Sequence, residues 1–269
     1  MNQVDLRTWV VAIVIGGVAH ASHGAAPVPG LYSTHFDGAQ AVWDVSGNFA
    51  QDVLGAGLNA SLEVSQNAKG KLAGGGSVSY SSSNEDIAID FTINGTVANS
   101  AGVITVNMLE HLHGAVTVNG KTYNFNGNLD NALTLDPLAQ TLNGVMTGSM
   151  CVAGHCETME QMNGGQPYTI NMSLPSPAMD GSWDLDINVV SVTGAKVVAT
   201  ATVTLANGRT LTLAGKGKYS PTTDLTTLTF KGSTPTSKGN QLRFTVQGAD
   251  LGIVRMTGKL LGQTPTITP

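Results

Sequence analysis

The stretch IAIDFTI, residues 87–93, puts Ile87, Ile89, Phe91 and Ile93 on one side and Ala88, Asp90 and Thr92 on the other. Apolar residues at every second position describe a strand with one buried and one wet face; a helix would repeat at 3.6. The same alternation returns at Ala199, Ala201, Val203 and Leu205 against Thr200, Thr202 and Thr204, and at Leu242, Phe244 and Val246 against Arg243 and Thr245. Threonine on the wet phase suits a pleated, half-buried surface. Past Gly30 no stretch sustains a helical period. Asn119-Gly120 and Asn207-Gly208 break the runs, and residues of this type accept positive φ, so each predicts a two-residue hairpin turn of type I′.

Those turns belong to a repeat. NGKTYNFNG (119–127) matches NGRTLTLAG (207–215) and LNG (142–144) matches FKG (230–232), so that Gly120 and Gly208, Gly127 and Gly215, and Gly144 and Gly232 are each 88 residues apart. Upstream, KLAGGG (71–76) resembles TLAGKG (212–217), and DGAQAVWD (37–44) shares its Asp-Gly and Trp-Asp with DGSWD (180–184). Gly95 to Gly144 is 49 residues, not 88, and unequal spacing favours meanders over a solenoid of fixed period. The expected fold class is therefore all-β: antiparallel hairpin meanders with internal duplication, in two sandwich- or barrel-like halves. One continuous large barrel or extended sheet is the alternative. An N-terminal β domain is expected over 30–163, a linker over 164–179 where Pro167, Pro175 and Pro177 interrupt pairing, a C-terminal β domain over 180–262 and a tail over 263–269. With only 5% aromatic residues and a TPTITP ending, the chain offers little for the aromatic girdles of an outer-membrane barrel.

Residues 1–21 read as a signal peptide: a short polar start with Arg7, an apolar run from Trp9 to Ala19, and small residues at Ala19 and Ala21. The expected product is exported, to the periplasm, the cell surface or the medium, and is not a transmembrane protein once processed. Charged residues are 12% of the chain and the net charge is −5, with no run of Lys and Arg to follow a phosphate backbone, so nucleic acid is not an expected partner. No GxSxG occurs, and the glycines of LAGGGSVS and LAGKGKYS precede strands, so they form no phosphate-binding turn. Asp130, Asp136, Asp184 and Asp186 look scattered near turns, and no catalytic residue is assigned.

MTGSMCVAGHCETMEQM, residues 146–162, holds both cysteines, four of the nine methionines and one of the six histidines. In a hairpin, Cys151 and Cys156 would face each other across Val-Ala-Gly-His at a separation a disulfide can bridge. The other chemistry open to this loop is a soft-metal site for copper, with His155, Met146, Met150, Met159 and Met162 beside the thiolates. LEHLHG (109–114) places His111 and His113 on one face of a strand, where two imidazoles could begin a zinc or copper site. Glu110 would point to the opposite face. Trp43, Trp183, Phe91, Phe125, Phe230 and Phe244 are the expected core anchors. The function that follows is an exported, non-catalytic structural or binding module, with copper binding by the 146–162 loop and small-ligand carriage inside a barrel as alternatives. Exposed strand edges could support self-association.

Overall fold

The computed structural model describes residues 25–38, 41–53, 58–174, 180–265 and 267, without the side chains of 50–53, 58 and 59. The expected signal peptide lies outside these residues, as do Pro175 and Pro177.

Strand alternation organises nearly the whole described chain into two antiparallel sheets. The first has seven strands: β1 (Gly30–Phe36), β11 (Trp183–Thr193), β12 (Lys196–Leu205), β13 (Thr210–Ser220), β14 (Leu225–Gly232), β15 (Gln241–Gln247) and β16 (Gly252–Lys259), in that order. The second runs β10 (Tyr168–Ser173), β8 (Thr141–Val152), β7 (Lys121–Asp136), β6 (Val103–Val118), β5 (Glu85–Ser100), β4 (Lys71–Ser81), β3 (Leu58–Gln66) and β2 (Gly47–Val53). Its ninth strand, β9 (His155–Thr158), pairs with β8 and leads into the one-turn helix α1 (Met159–Met162). The sheets are meanders, as the short turns between alternating runs require.

The seven-stranded sheet curls as a half-barrel. Tyr32 Oη, on edge strand β1, lies 2.9 Å from the carbonyl oxygen of Ala249, in the turn between β15 and β16 at the opposite edge. A flat sheet would hold β1 and β16 six strand spacings of about 4.8 Å apart. The concave side is filled by Leu185, Ala201, Val203, Leu213, Leu228, Phe230, Leu242, Phe244 and Val246, none of which keeps measurable exposure. Burying each large side chain contributes roughly 1.5–3 kcal/mol, which many short strands accumulate together. Trp183 stacks on Phe36 with centroids 4.2 Å apart, and Phe230 meets Phe244 edge-on at 5.9 Å. Phe91 and Phe125 are buried along the nine-stranded sheet, and Trp43 joins the core cluster that contains Phe91.

Two segments fall elsewhere than the sequence suggested. β1 lies in the sheet otherwise built from 183–259, because Phe36 finds Trp183 directly opposite and Ser33 and His35 bond to Asp186 and Asp184 across the same pair. Residues 168–173, expected within a linker, form β10, whose Ile170 and Met172 bury against the nine-stranded sheet; Pro167 precedes the strand and removes no ladder donor from it. The segment 41–46 then joins the sheets. Asp44 accepts from Arg209 Nη1 at 3.2 Å and Asn207 Nδ2 at 3.0 Å, Trp43 N–H donates to Gln263 Oε1, and Gln66 Nε2 donates to the Leu261 carbonyl.

The hairpin turns differ between the two repeat copies. Asn119 and Gly120 both have positive φ, 49° and 76°, as a type I′ turn demands. At the second site only Gly208 does, at 80°, and the loop holds three residues, Ala206 to Gly208, closed by Leu205 N–H to the Arg209 carbonyl. This is a type I turn followed by a left-handed glycine. Asn207 is occupied instead with the junction, accepting from Arg209 N–H and donating to Asp44. The LNG and FKG copies also part: Gly144 faces Leu133 near the start of β8, whereas Gly232 faces Leu213 at the last residue of β14.

Candidate functional site

Cys151 and Cys156 are directly opposite in the β8–β9 pair and joined by a disulfide, with Cα atoms 4.0 Å apart. Val152 and His155 also pair, so the loop is two residues rather than four, Ala153 (φ 52°) and Gly154 (φ 84°). Strand alternation sends the cysteines to the outer face and Met146, Met150, Val152 and His155 to the other. Thr158 caps α1 through a reciprocal pair of bonds with Gln161, which buries Met159 and leaves Met162 exposed. His155 and the thioethers of Met146, Met150, Met159 and Met162 are thus spread over a hairpin and a helical turn, with both thiolates consumed by the disulfide.

His111 and His113 share the outer face of β6. His111 Nδ1 lies 2.6 Å from Asn128 Oδ1, and His113 stands opposite Asp90 on one side and Asn126 on the other. Among the described residues no three His, Cys, Asp or Glu side chains cluster closely enough to hold a metal ion. Glu110 points inward between Ile93 and Leu129, where it accepts from Asn131 Nδ2 at 2.7 Å. Burial raises the Glu110 carboxyl above its ordinary range, and the Asn131 bond offsets part of that rise. Asn131 Oδ1 is buried and has no hydrogen-bond partner among the described residues.

Beyond the histidines, the outer face of β4–β8 forms a groove of about 480 Å³. Two cross-strand rows build it: Asn94, Leu109, Asp130 and Thr147, then Lys71, Thr96, Asn107, Ala132 and Val145. Leu109, Ala132 and Val145 make an apolar floor, ringed by amides, hydroxyls, one carboxylate and one ammonium. Gly95 and Gly144 let the sheet bend here, since a Cβ on either would strike the carbonyl of Asn107 or Ala132. Asp130 is therefore not near a turn but midway along a sixteen-residue strand, whereas Asp184 and Asp186 are the second and fourth residues of β11. The signal for the groove was the run of polar residues at alternate positions of NFNGNLDNA (124–132), whose Asn and Asp suggest turns by composition but strand by period.

His35, on the outer face of β1, bonds Asp184 through Nδ1 at 2.6 Å and lies 3.7 Å from Asp37; the Asp184 bond raises its pKa. No helix among the described residues is long and apolar enough to cross a membrane. Comparison with known proteins returned no matching family model, no curated relative and no similar solved structure.

Proposed function

We propose that the protein is an exported, non-catalytic binding module, and that the groove on β4–β8 takes a polyhydroxylated ligand of the size of a short saccharide. The observation that carries this reading is the groove's composition. Leu109, Ala132 and Val145 offer an apolar strip for the C–H face of a sugar ring, while Asn94, Asn107, Thr96, Thr147 and Asp130 supply donors and acceptors around it. The Asp130 carboxylate has two oxygens that can each accept from a hydroxyl. The disulfide supports an oxidising destination for the chain.

Small-ligand carriage inside the seven-stranded sheet has less support, because that interior is filled by side chains. The copper reading is left with one imidazole and four thioethers once the thiols are oxidised. Titration calorimetry against a panel of neutral oligosaccharides tests the proposal. Binding by at least one, weakened tenfold or more in both Asp130→Asn and Asn107→Ala, is the expected result. Failure of the whole panel, binding indifferent to both substitutions, or turnover abolished by Asp130→Asn would each overturn it.

A further inference from the structure

The sequence has no run of basic residues, yet its charge is divided unevenly along the chain. Residues 25–180 hold three Lys and Arg against thirteen Asp and Glu, whereas residues 181–269 hold nine against four. Strand register gathers seven of those nine on the outer face of β12–β16: Lys196, Lys216, Lys218, Lys231, Arg243, Arg255 and Lys259, all exposed. No Asp or Glu lies within these five strands, and among the described residues none of the seven is in an ion pair. The rows read Lys196, Lys218, Thr227, Thr245, Arg255, and beside it Lys216, Thr229, Arg243, Thr257. Neighbouring positions are about 4.8 Å apart across strands and 6.8 Å along them, so the cations form a band rather than a point.

A second observation is independent of the count. Lys196 stands directly opposite Lys218. Like charges at facing positions destabilise an antiparallel pair, and no carboxylate on these strands relieves them. A fold that retains this repulsion in a chain of net charge −5 gains from an anion placed over the pair.

We infer that this face binds a flexible anionic polysaccharide, one carrying carboxylate or sulfate groups at each sugar or two. The shape selects the partner. The outer side of a curled sheet is convex, so a planar bilayer or rigid duplex touches it along one line and meets few of the seven cations, whereas a flexible chain wraps across the rows. The aromatic residues of these strands, Phe230, Phe244 and Tyr219, are turned inward and buried, which leaves no platform for the bases of a single-stranded nucleic acid. Threonine hydroxyls between the cations supply hydrogen bonds to sugar oxygens. This face lies on the opposite sheet from the groove, and the inference does not depend on what the groove holds.

The test uses the mature protein with heparin and polygalacturonate as probes, by calorimetry at low and high salt. Affinity should fall steeply with salt. The triple variant Lys216→Gln, Lys218→Gln, Arg243→Gln should bind at least tenfold more weakly, and Lys121→Gln, on the nine-stranded sheet, within twofold of wild type. As a readout independent of binding, Lys218→Gln alone should raise the melting temperature of the free protein. Wild-type binding by the triple variant, no binding of either polysaccharide, tighter binding to anionic vesicles or duplex DNA, or a lowered melting temperature in Lys218→Gln would overturn the inference.

Discussion

Gly215 lies beneath the ring of Phe230, its direct cross-strand partner, and an added Cβ would run into the Cδ1 and Cε1 edge of that ring. Gly215→Ala alone forces Phe230 out of its pocket among side chains without exposed surface, an overpacking cost of roughly 1–3 kcal/mol. Phe230→Ala alone removes a fully buried ring, costing about 3–5 kcal/mol, of which the edge-on contact with Phe244 accounts for roughly 0.5–1.5. The two costs share a cause, because the obstacle to the new methyl is the ring itself. The other close atom, the Ala199 carbonyl oxygen at 3.1 Å, requires a shift of only a few tenths of an ångström. In the double variant the methyl enters space the ring has left, so the combined loss should fall short of the sum by about 1 kcal/mol or more. Urea unfolding of the four proteins, followed by tryptophan fluorescence at matched m-values, measures the cycle. Additivity within about 0.5 kcal/mol would show that the glycine is kept for backbone rather than ring, and the packing argument would fail.

Glu110→Gln should stabilise the protein at pH 7, since it removes a charge that burial disfavours, keeps an acceptor for Asn131 Nδ2 and brings an amide donor toward the unpartnered Asn131 Oδ1. The sign follows from linkage: a carboxyl raised in the folded state keeps its proton to higher pH than in the unfolded chain, so wild-type stability falls as pH climbs from 4.5 through the raised value. The advantage of Gln should shrink toward zero below pH 4.5, and urea midpoints that stay parallel from pH 4 to 8 would contradict this. Reducing Cys151–Cys156 opens a small ring across a two-residue turn, so the loss should be about 2 kcal/mol with far-UV dichroism unchanged. Collapse of the β spectrum on reduction would mean that the bridge holds the sheet rather than the loop.

Period two was enough to place Ile93 inward and Asp90 and Thr92 outward, and it assigned Glu110 and His111 to opposite faces before any contact was known. Side-chain direction in a strand is a local property, so seven residues suffice to read it. Sheet membership is not local. Nothing in GLYSTHF says that its partner is Trp183–Thr193, roughly 150 residues on, because the stack of Phe36 on Trp183 exists only once both are folded. The basic face was hidden for the same reason. Lys216 and Lys218 are neighbours on one strand, but Lys196, Arg243 and Arg255 reach them only through register, and register depends on turns that composition misjudged, as at Ala206-Asn207-Gly208.

The two copies of the repeat show which positions the fold constrains. Inward, Tyr123, Phe125 and Gly127 of the first correspond to Leu211, Leu213 and Gly215 of the second, and both glycines underlie a large cross-strand side chain, Met150 with its Cγ 3.1 Å from an added Cβ and Phe230. Outward, Thr122, Asn124 and Asn126 correspond to Thr210, Thr212 and Ala214, and beyond them the faces diverge to a polar groove with one carboxylate and one ammonium on one sheet and a cationic band on the other. Packing fixes the inner phase, since each large cross-strand side chain, Met150 or Phe230, needs its glycine; the outer phase faces solvent and can change without cost to the core. A duplicated hairpin with one constrained face and one free face can therefore carry two unrelated surfaces, which is why the proposed groove and the cationic band both lie on wet sheet faces and not inside the packed half-barrel.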